Sequence, residues 1–240
     1  MSTLLNLSTR LENIVNLCDN VKCIADIGCD HGYVSAELIL SNKCVKVIAT
    51  DISPRSLDKA IKFCDSLNIN SYISFREGDG FNVIYKADKV KQAVISGMGG
   101  MEIINILQNN PFKKLKNFVL QPMRDTIKLR EYLVENKFKI VYDYLVFEDG
   151  IFYNVIKVKK GKTDLTPLEM YFGKDNFDFN TQIFKEYLLS EKQKLHIINK
   201  KIDGLTKSNE AHLLYVNAAL TYLEKIENGE IEINKRRNYL

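Results

Sequence analysis

The sequence predicts an α/β protein: a doubly wound, mostly parallel seven-stranded sheet with an antiparallel last strand, followed by a C-terminal α-helical coiled-coil hairpin. Three observations carry this. Short apolar runs alternate with amphipathic stretches from residue 21 to 158, the pattern that places helices on both faces of a parallel sheet. The last two of these runs are joined through Glu148, Asp149 and Gly150, and so short a connection joins only antiparallel neighbours. Beyond Lys160 the strand pattern stops and a helical periodicity replaces it.

Taken in order, the first element is a helix over Ser8–Asp19, where Leu11, Ile14, Val15 and Leu17 make one apolar face. Strands follow at Val21–Ile27, Lys46–Asp51, Ile73–Glu77, Gln92–Ser96, Asn117–Gln121, Phe138–Phe147 and Phe152–Lys159, each rich in β-branched or apolar residues and bounded by turn formers. Helices fill the gaps at Gly32–Ser41, Pro54–Leu67, Met101–Asn109 and Thr126–Asn136. Ser53 before Pro54 is an N-cap followed by proline in the first turn. Gly161–Phe179 reads as a linker with Pro167 and several aromatic residues. Phe184, Leu188, Glu191, Leu195, Ile198, Ile202 and Leu205 then alternate spacings of four and three. After a break at Gly204 to Asn209, His212, Val216, Ala219, Leu223 and Ile226 keep the same spacing, as in an antiparallel hairpin. Lys235, Arg236 and Arg237 lie in a frayed basic tail. Two domains are expected, residues 1–160 and 161–240.

Composition bounds the function. With 45% hydrophobic and 27% charged residues over 240 positions, the chain can bury a sizeable core, which excludes disorder. No apolar run approaches the roughly 18 to 20 residues that cross a bilayer, and no signal-peptide pattern opens the chain. A cytoplasmic protein without a membrane partner is expected. Five scattered cysteines and three histidines give no metal-ligand spacing, so free buried thiols and no metal are expected. A net charge of +4 permits nucleic-acid binding without demanding it.

The chemistry concentrates at the strand ends. Ala25-Asp26-Ile27-Gly28-Cys29-Asp30-His31-Gly32-Tyr33 joins the first strand to the first helix of the sheet. Gly28 and Gly32 allow a tight turn and a close ligand, and Asp26 can accept a hydrogen bond from a cationic amino group. A dinucleotide fingerprint would need glycine where Asp30 stands, and a carboxylate there repels phosphates. A phosphate-free ligand, S-adenosylmethionine, fits this loop. Asp51, followed by Ile52, ends the second strand where two ribose hydroxyls can be gripped. Asp79 and Gly80 follow the third strand, suited to an adenine amino group and its ring. Ser96-Gly97-Met98-Gly99-Gly100 follows the fourth. Its glycines are expected to admit backbone and base close to the methyl donor, with Met98 packing on a ring.

A seven-stranded sheet of this kind is the architecture of Rossmann-like methyltransferases. Together with Leu7-Ser8-Thr9-Arg10-Leu11, the Gly97-Met98-Gly99-Gly100 turn and Gln121-Pro122, the Asp26 to Tyr33 loop resembles the bacterial tRNA (adenine-22-N1)-methyltransferase family. The resemblance covers nearly the whole chain. It implies methyl transfer from S-adenosylmethionine to N1 of one tRNA adenine, and a helical C-terminal domain that binds tRNA. On that reading Asp30 orients the target adenine or balances its charge, with His31, Arg10 and Gln121 assisting. Asp30, His31, Gly32 and Ile52 also join the cofactor-binding set, and the protein is expected to act as a monomer. Lys113–Lys116, Arg124–Arg130 and Lys157–Lys162 are available for RNA phosphates. The rival readings are a methyltransferase acting on another RNA, a small molecule or a protein, and a noncatalytic RNA-binding adaptor. A nicotinamide oxidoreductase ranks below both because of Asp30 and the terminal hairpin.

Overall fold

The structure, a computed structural model, describes residues 4–202 and 206–230. The chain divides into two compact units, one of residues 1–142 with 146–164, the other of residues 143–145 with 165–240. The division expected at 160/161 thus lies at 164/165, and three residues of the sixth strand group with the second unit.

In the first unit the strands are β1 (Val21–Ile27), β2 (Cys44–Asp51), β3 (Ile73–Glu77), β4 (Gln92–Met98), β5 (Phe118–Pro122), β6 (Phe138–Glu148) and β7 (Ile151–Lys160). They form one sheet in the order β3-β2-β1-β4-β5-β7-β6. β1 pairs in parallel with β2 and β4, β2 with β3, and β4 with β5, whereas β7 runs antiparallel to β5. Strands buried on both faces need continuous apolar runs, and Cys23–Ala25 and Val47–Ala49 supply them. The order reverses between β1 and β4, and a doubly wound sheet binds ligands outside the strand ends at such a switch point.

Helices α1 (Thr9–Leu17), α2 (Tyr33–Leu40), α3 (Pro54–Ser66), α4 (Gly100–Gln108) and α5 (Thr126–Glu135) accompany the sheet. Ser53 caps α3 as expected, its hydroxyl accepting the Ser56 N–H at 3.2 Å. The five cysteines are buried free thiols. Two cations assigned to RNA are occupied elsewhere. Arg130 is 1% exposed and donates to Asn154 at 2.8 Å, and Lys157 is buried against Asp19. Among the described residues, no helix is long and apolar enough to cross a membrane, and no three potential metal ligands cluster.

In the second unit, the segment read as a linker contains α6 (Pro167–Phe172) and a 3₁₀ turn over Lys174–Phe177. Thr166 and Glu169 form a reciprocal capping box, the Glu169 carboxylate accepting the Thr166 N–H at 2.8 Å. Phe172 and Phe177 pack on Phe184 with ring centroids 5.3 and 4.8 Å away. Helices α7 (Thr181–Ile202) and α8 (Lys207–Glu227) run in opposite senses, since Lys185 pairs with Glu227 and Glu191 with His212. Phe184, Leu188, Leu195, Val216, Ala219 and Leu223 of the expected stripe are buried, but Ile198 is 36% exposed. Along α7 the buried stripe thus runs from Phe184 to Leu195. The side chain of Ile202, Leu205, Gly204 and the Lys235–Arg237 tail lie outside the described residues.

Candidate active site

At the carboxyl ends of β1, β2 and β4 lies a cavity of about 710 Å³. Asp26, next to last in β1, is 1% exposed and accepts a hydrogen bond from the Ser35 hydroxyl of α2 at 2.6 Å. Burial pushes its carboxyl up to about 6; the Ser35 bonds oppose that rise and the charge of Asp51 adds to it. Gly28 turns the chain at φ +73°, and a side chain there would strike the Met98 methyl at 2.1 Å. Gly32 also turns the chain, at φ +75°, as expected, but its bareness serves packing in place of a close ligand. It does not line the cavity, and its missing Cβ would stand 2.9 Å from Cβ of Ala60, so it lets α2 approach α3.

Asp51 points into the same cavity. Its two oxygens accept the backbone N–H groups of Asp30 and Ser53 at 3.0 and 2.9 Å. A carboxylate offers about four lone-pair positions, so about two remain for a pair of hydroxyls. Ile52, Asp79 and Gly80 line the wall beside it, and the Asp79 side chain makes no capping bond to its own turn. In the glycine-rich turn the three glycines differ. Gly97, at φ +76°, has nothing within 4 Å of where a Cβ would stand, and the β4–β5 register shifts beside it. Gly100 is packing instead, because its Cβ would meet the Asp125 carbonyl oxygen at 2.6 Å, and Gly99 abuts Arg124. The access expected of all three belongs to Gly97, with the flexible Met98 as the adjoining wall.

At the rim Asp30 sits at φ +45° with its carboxylate 66% exposed, 2.7 Å from His31 Nδ1. Lys59 Nζ stands 3.3 Å from His31 Nε2. An ammonium only donates, so Nε2 accepts and the proton resides on Nδ1, directed at Asp30. Gln121 is fully buried and does not line the cavity itself. Its carbonyl accepts from Arg10 Nη1 at 2.8 Å and from the Gly97 N–H at 3.2 Å, so it ties the cavity wall to the mouth. Arg10 lies over the Tyr153 ring at 5.1 Å, and Glu148 accepts its backbone N–H.

The structure therefore gathers Arg10, Asp26, Gly28, Asp30, His31, Asp51, Ile52, Asp79, Gly80, Gly97 and Met98 around one cavity and leaves Gln121 behind it and Gly32 outside it. Sequence reasoning missed Ser35, Lys59 and Glu148, the partners of these groups, along with Tyr33, Glu102 and Asn105 in the wall. Ser35 was legible in principle as a hydroxyl in the first turn of the helix that follows Asp26. Cys29 lines the cavity too, but burial raises its thiol, which leaves it a packing group.

Asp26, Asp30, Asp51, Asp79 and Glu102 set a negative field around the cavity, with Arg10 and His31 as its basic members. That field opposes phosphates and suits a cation, and the free positions on Asp51 suit a ribose; an adenosyl sulfonium meets both conditions. A doubly wound sheet closed by an antiparallel strand, with such a cleft at its switch point, defines a Rossmann-like S-adenosylmethionine-dependent methyltransferase. Within that class the profile of the tRNA (adenine(22)-N(1))-methyltransferase family matches residues 24–225, and the chain belongs to that family. The tRNA (adenine(22)-N(1))-methyltransferase of Bacillus subtilis is 32% identical over 162 residues, 67% of this chain and 68% of its own. The crystal structure of the B. subtilis m1A22 tRNA methyltransferase TrmK superposes with a TM-score of 0.74 at 26% identity, covering 92% of this chain and 99% of that one. The structure of M. capricolum TrmK in complex with S-adenosyl-homocysteine does so with a TM-score of 0.76 at 27% identity, over 92% and 98%.

Proposed function

We propose that this chain, acting as a cytoplasmic monomer, transfers the methyl group of S-adenosylmethionine to N1 of adenine 22 in tRNA. The observation that supports this most strongly is the acidic, phosphate-excluding cleft in a chain of this family. When bound, the cofactor supplies a methyl group made electrophilic by its sulfonium. Asp26 accepts from the cofactor's amino group, Asp51 from its ribose hydroxyls and Asp79 from its adenine amino group, while Gly97 leaves room for the acceptor base.

Neutral adenine already carries a lone pair on N1, so no side chain need remove a proton before attack. Alignment contributes most. Holding reactants in line supplies roughly 7 to 11 kcal/mol, against a few kcal/mol from acid–base assistance. Asp30 orients the target's amino group and balances the positive charge that the ring gains. His31 holds Asp30 through Nδ1–H, and Gln121 positions Arg10 at the mouth. The helical unit contributes further contacts to tRNA. Incubation of labelled cofactor with bacterial tRNA and mapping of the modified nucleoside tests the assignment. The expected product is 1-methyladenosine at position 22, absent from a transcript carrying guanine there. Equal labelling of that transcript would contradict it.

A further inference from the structure

We infer that the depression between the Tyr85–Lys91 loop and the segment 112–115 is a phosphodiester-binding site for the backbone of the RNA substrate, remote from the cleft. The inference rests on the proposed RNA substrate and adds where that RNA is held. The depression, of about 220 Å³, is walled by Lys86, Lys89, Lys91 and Lys114 and by the Tyr85 and Phe112 rings, and no carboxylate lines it. The loop's own acid is turned away. Asp88 receives both terminal nitrogens of Arg76 at 2.7 Å and the Tyr85 N–H at 2.7 Å, and its side chain is 7% exposed.

Arg76 also donates to the Val83 carbonyl at 2.8 Å and lies over the Tyr85 ring, so the loop is braced from within while its lysines face outward. Lys89 is held at φ +53°, a conformation lysine rarely adopts. A neighbouring cavity adds Lys113 and Lys116, again without a carboxylate in its wall. Burial, helped by the charge of Lys113, lowers the Lys116 ammonium below its ordinary range. Like charges braced together and left uncompensated oppose folding, and an anion spread over several of them relieves the repulsion.

Lys91 directly precedes β4 and Lys116 stands just before β5, so this site lies at the amino end of β4, the strand whose carboxyl end forms part of the cleft. Along seven residues of β4 the separation is about 20 Å. A free nucleotide cannot bridge that distance, whereas the phosphates along a folded RNA can occupy both places. Lysines bind phosphates as point charges, so the contact holds backbone and reads no sequence.

The test replaces the four lysines together, Lys86→Gln, Lys89→Asn, Lys91→Gln and Lys114→Gln, asparagine being tolerated at positive φ. Affinity for tRNA should fall about tenfold or more at about 0.1 M salt, and the slope of log K against log salt should flatten by about 3, each lost phosphate contact carrying about 0.7 to 0.9. Cofactor affinity and kcat at saturating tRNA should stay at wild-type values. Wild-type salt slope and KM in this variant would overturn the site, as would binding of anionic vesicles or polyphosphate there with no competition from tRNA. A measurement on the unaltered protein runs beside it: bound tRNA should shield these four amines from acetylation. If the protein methylates tRNA while they stay reactive, this inference fails alone. If it neither binds nor methylates tRNA, the functional reading beneath it fails first.

Discussion

The two units use the same polar residue types to opposite ends. In the sheet unit, Asp30 pairs with His31 at 2.7 Å yet keeps its carboxylate 66% exposed at the cavity, and Asp51 keeps hydrogen-bonding positions in reserve. In the helical unit, His212 is held on both sides, by the Tyr171 hydroxyl at 2.8 Å and Glu191 at 3.1 Å, and Asp175 is buried, accepting the Asp143 N–H. An acid beside a histidine therefore says little about function until the remaining valences are counted. Groups left incompletely satisfied mark the site, and groups consumed by neighbours mark a core.

If the units divide labour in this way, removing the aromatic centre of one should spare the ligand of the other. Phe184→Ala should destabilise the helical unit by about 3–5 kcal/mol, read as a lowered unfolding midpoint. Cofactor affinity should change less than about twofold, and its loss would break the comparison.

The buried acid of the cleft gives the next largest effect. Asp26 holds its proton more tightly in the folded chain than in the unfolded one, 3.8 rising to about 6, so the fold loses stability as pH climbs through that interval and carries the full cost, about 3 kcal/mol, above it. Asp26→Asn should remove that cost. The variant should be more stable than wild type by about 1–3 kcal/mol near pH 7.5, and near pH 4 the gain should vanish, while cofactor binding weakens at neutral pH. Denaturant midpoints at the two pH values check it; an equal shift at both would contradict it. At the rim, Asp30→Ala should lower single-turnover methylation about 100-fold with little effect on cofactor affinity. A wild-type rate would remove Asp30 from its role.

The same contrast explains what could be read in advance. β1 and β3 matched their expected limits because apolar runs and turn formers bound them locally. The acids at strand ends were legible for the same reason, since a strand's end fixes where its last side chain stands. The packing roles of Gly32 and Gly100 were missed because their reasons lie at Ala60 and at the Asp125 carbonyl, distant positions that no local pattern names. The short α6 was hidden among aromatic residues that looked like a linker, although Thr166-Pro167-Leu168-Glu169 carries its capping box. Ile198 kept the heptad spacing yet is exposed, because spacing specifies a face without specifying what covers it. Arg130 and Lys157 looked like RNA contacts until Asn154 and Asp19 were found across from them.

Calorimetric titration of S-adenosylmethionine into the wild type and into Asp51→Ala asks most directly whether carboxylates at the strand tips hold the cofactor. The wild type should show saturable one-to-one heat, and the variant, with an unchanged circular dichroism spectrum, should bind at least about 100-fold more weakly, a loss of about 2.7 kcal/mol. Equal affinity in the two proteins would contradict the account.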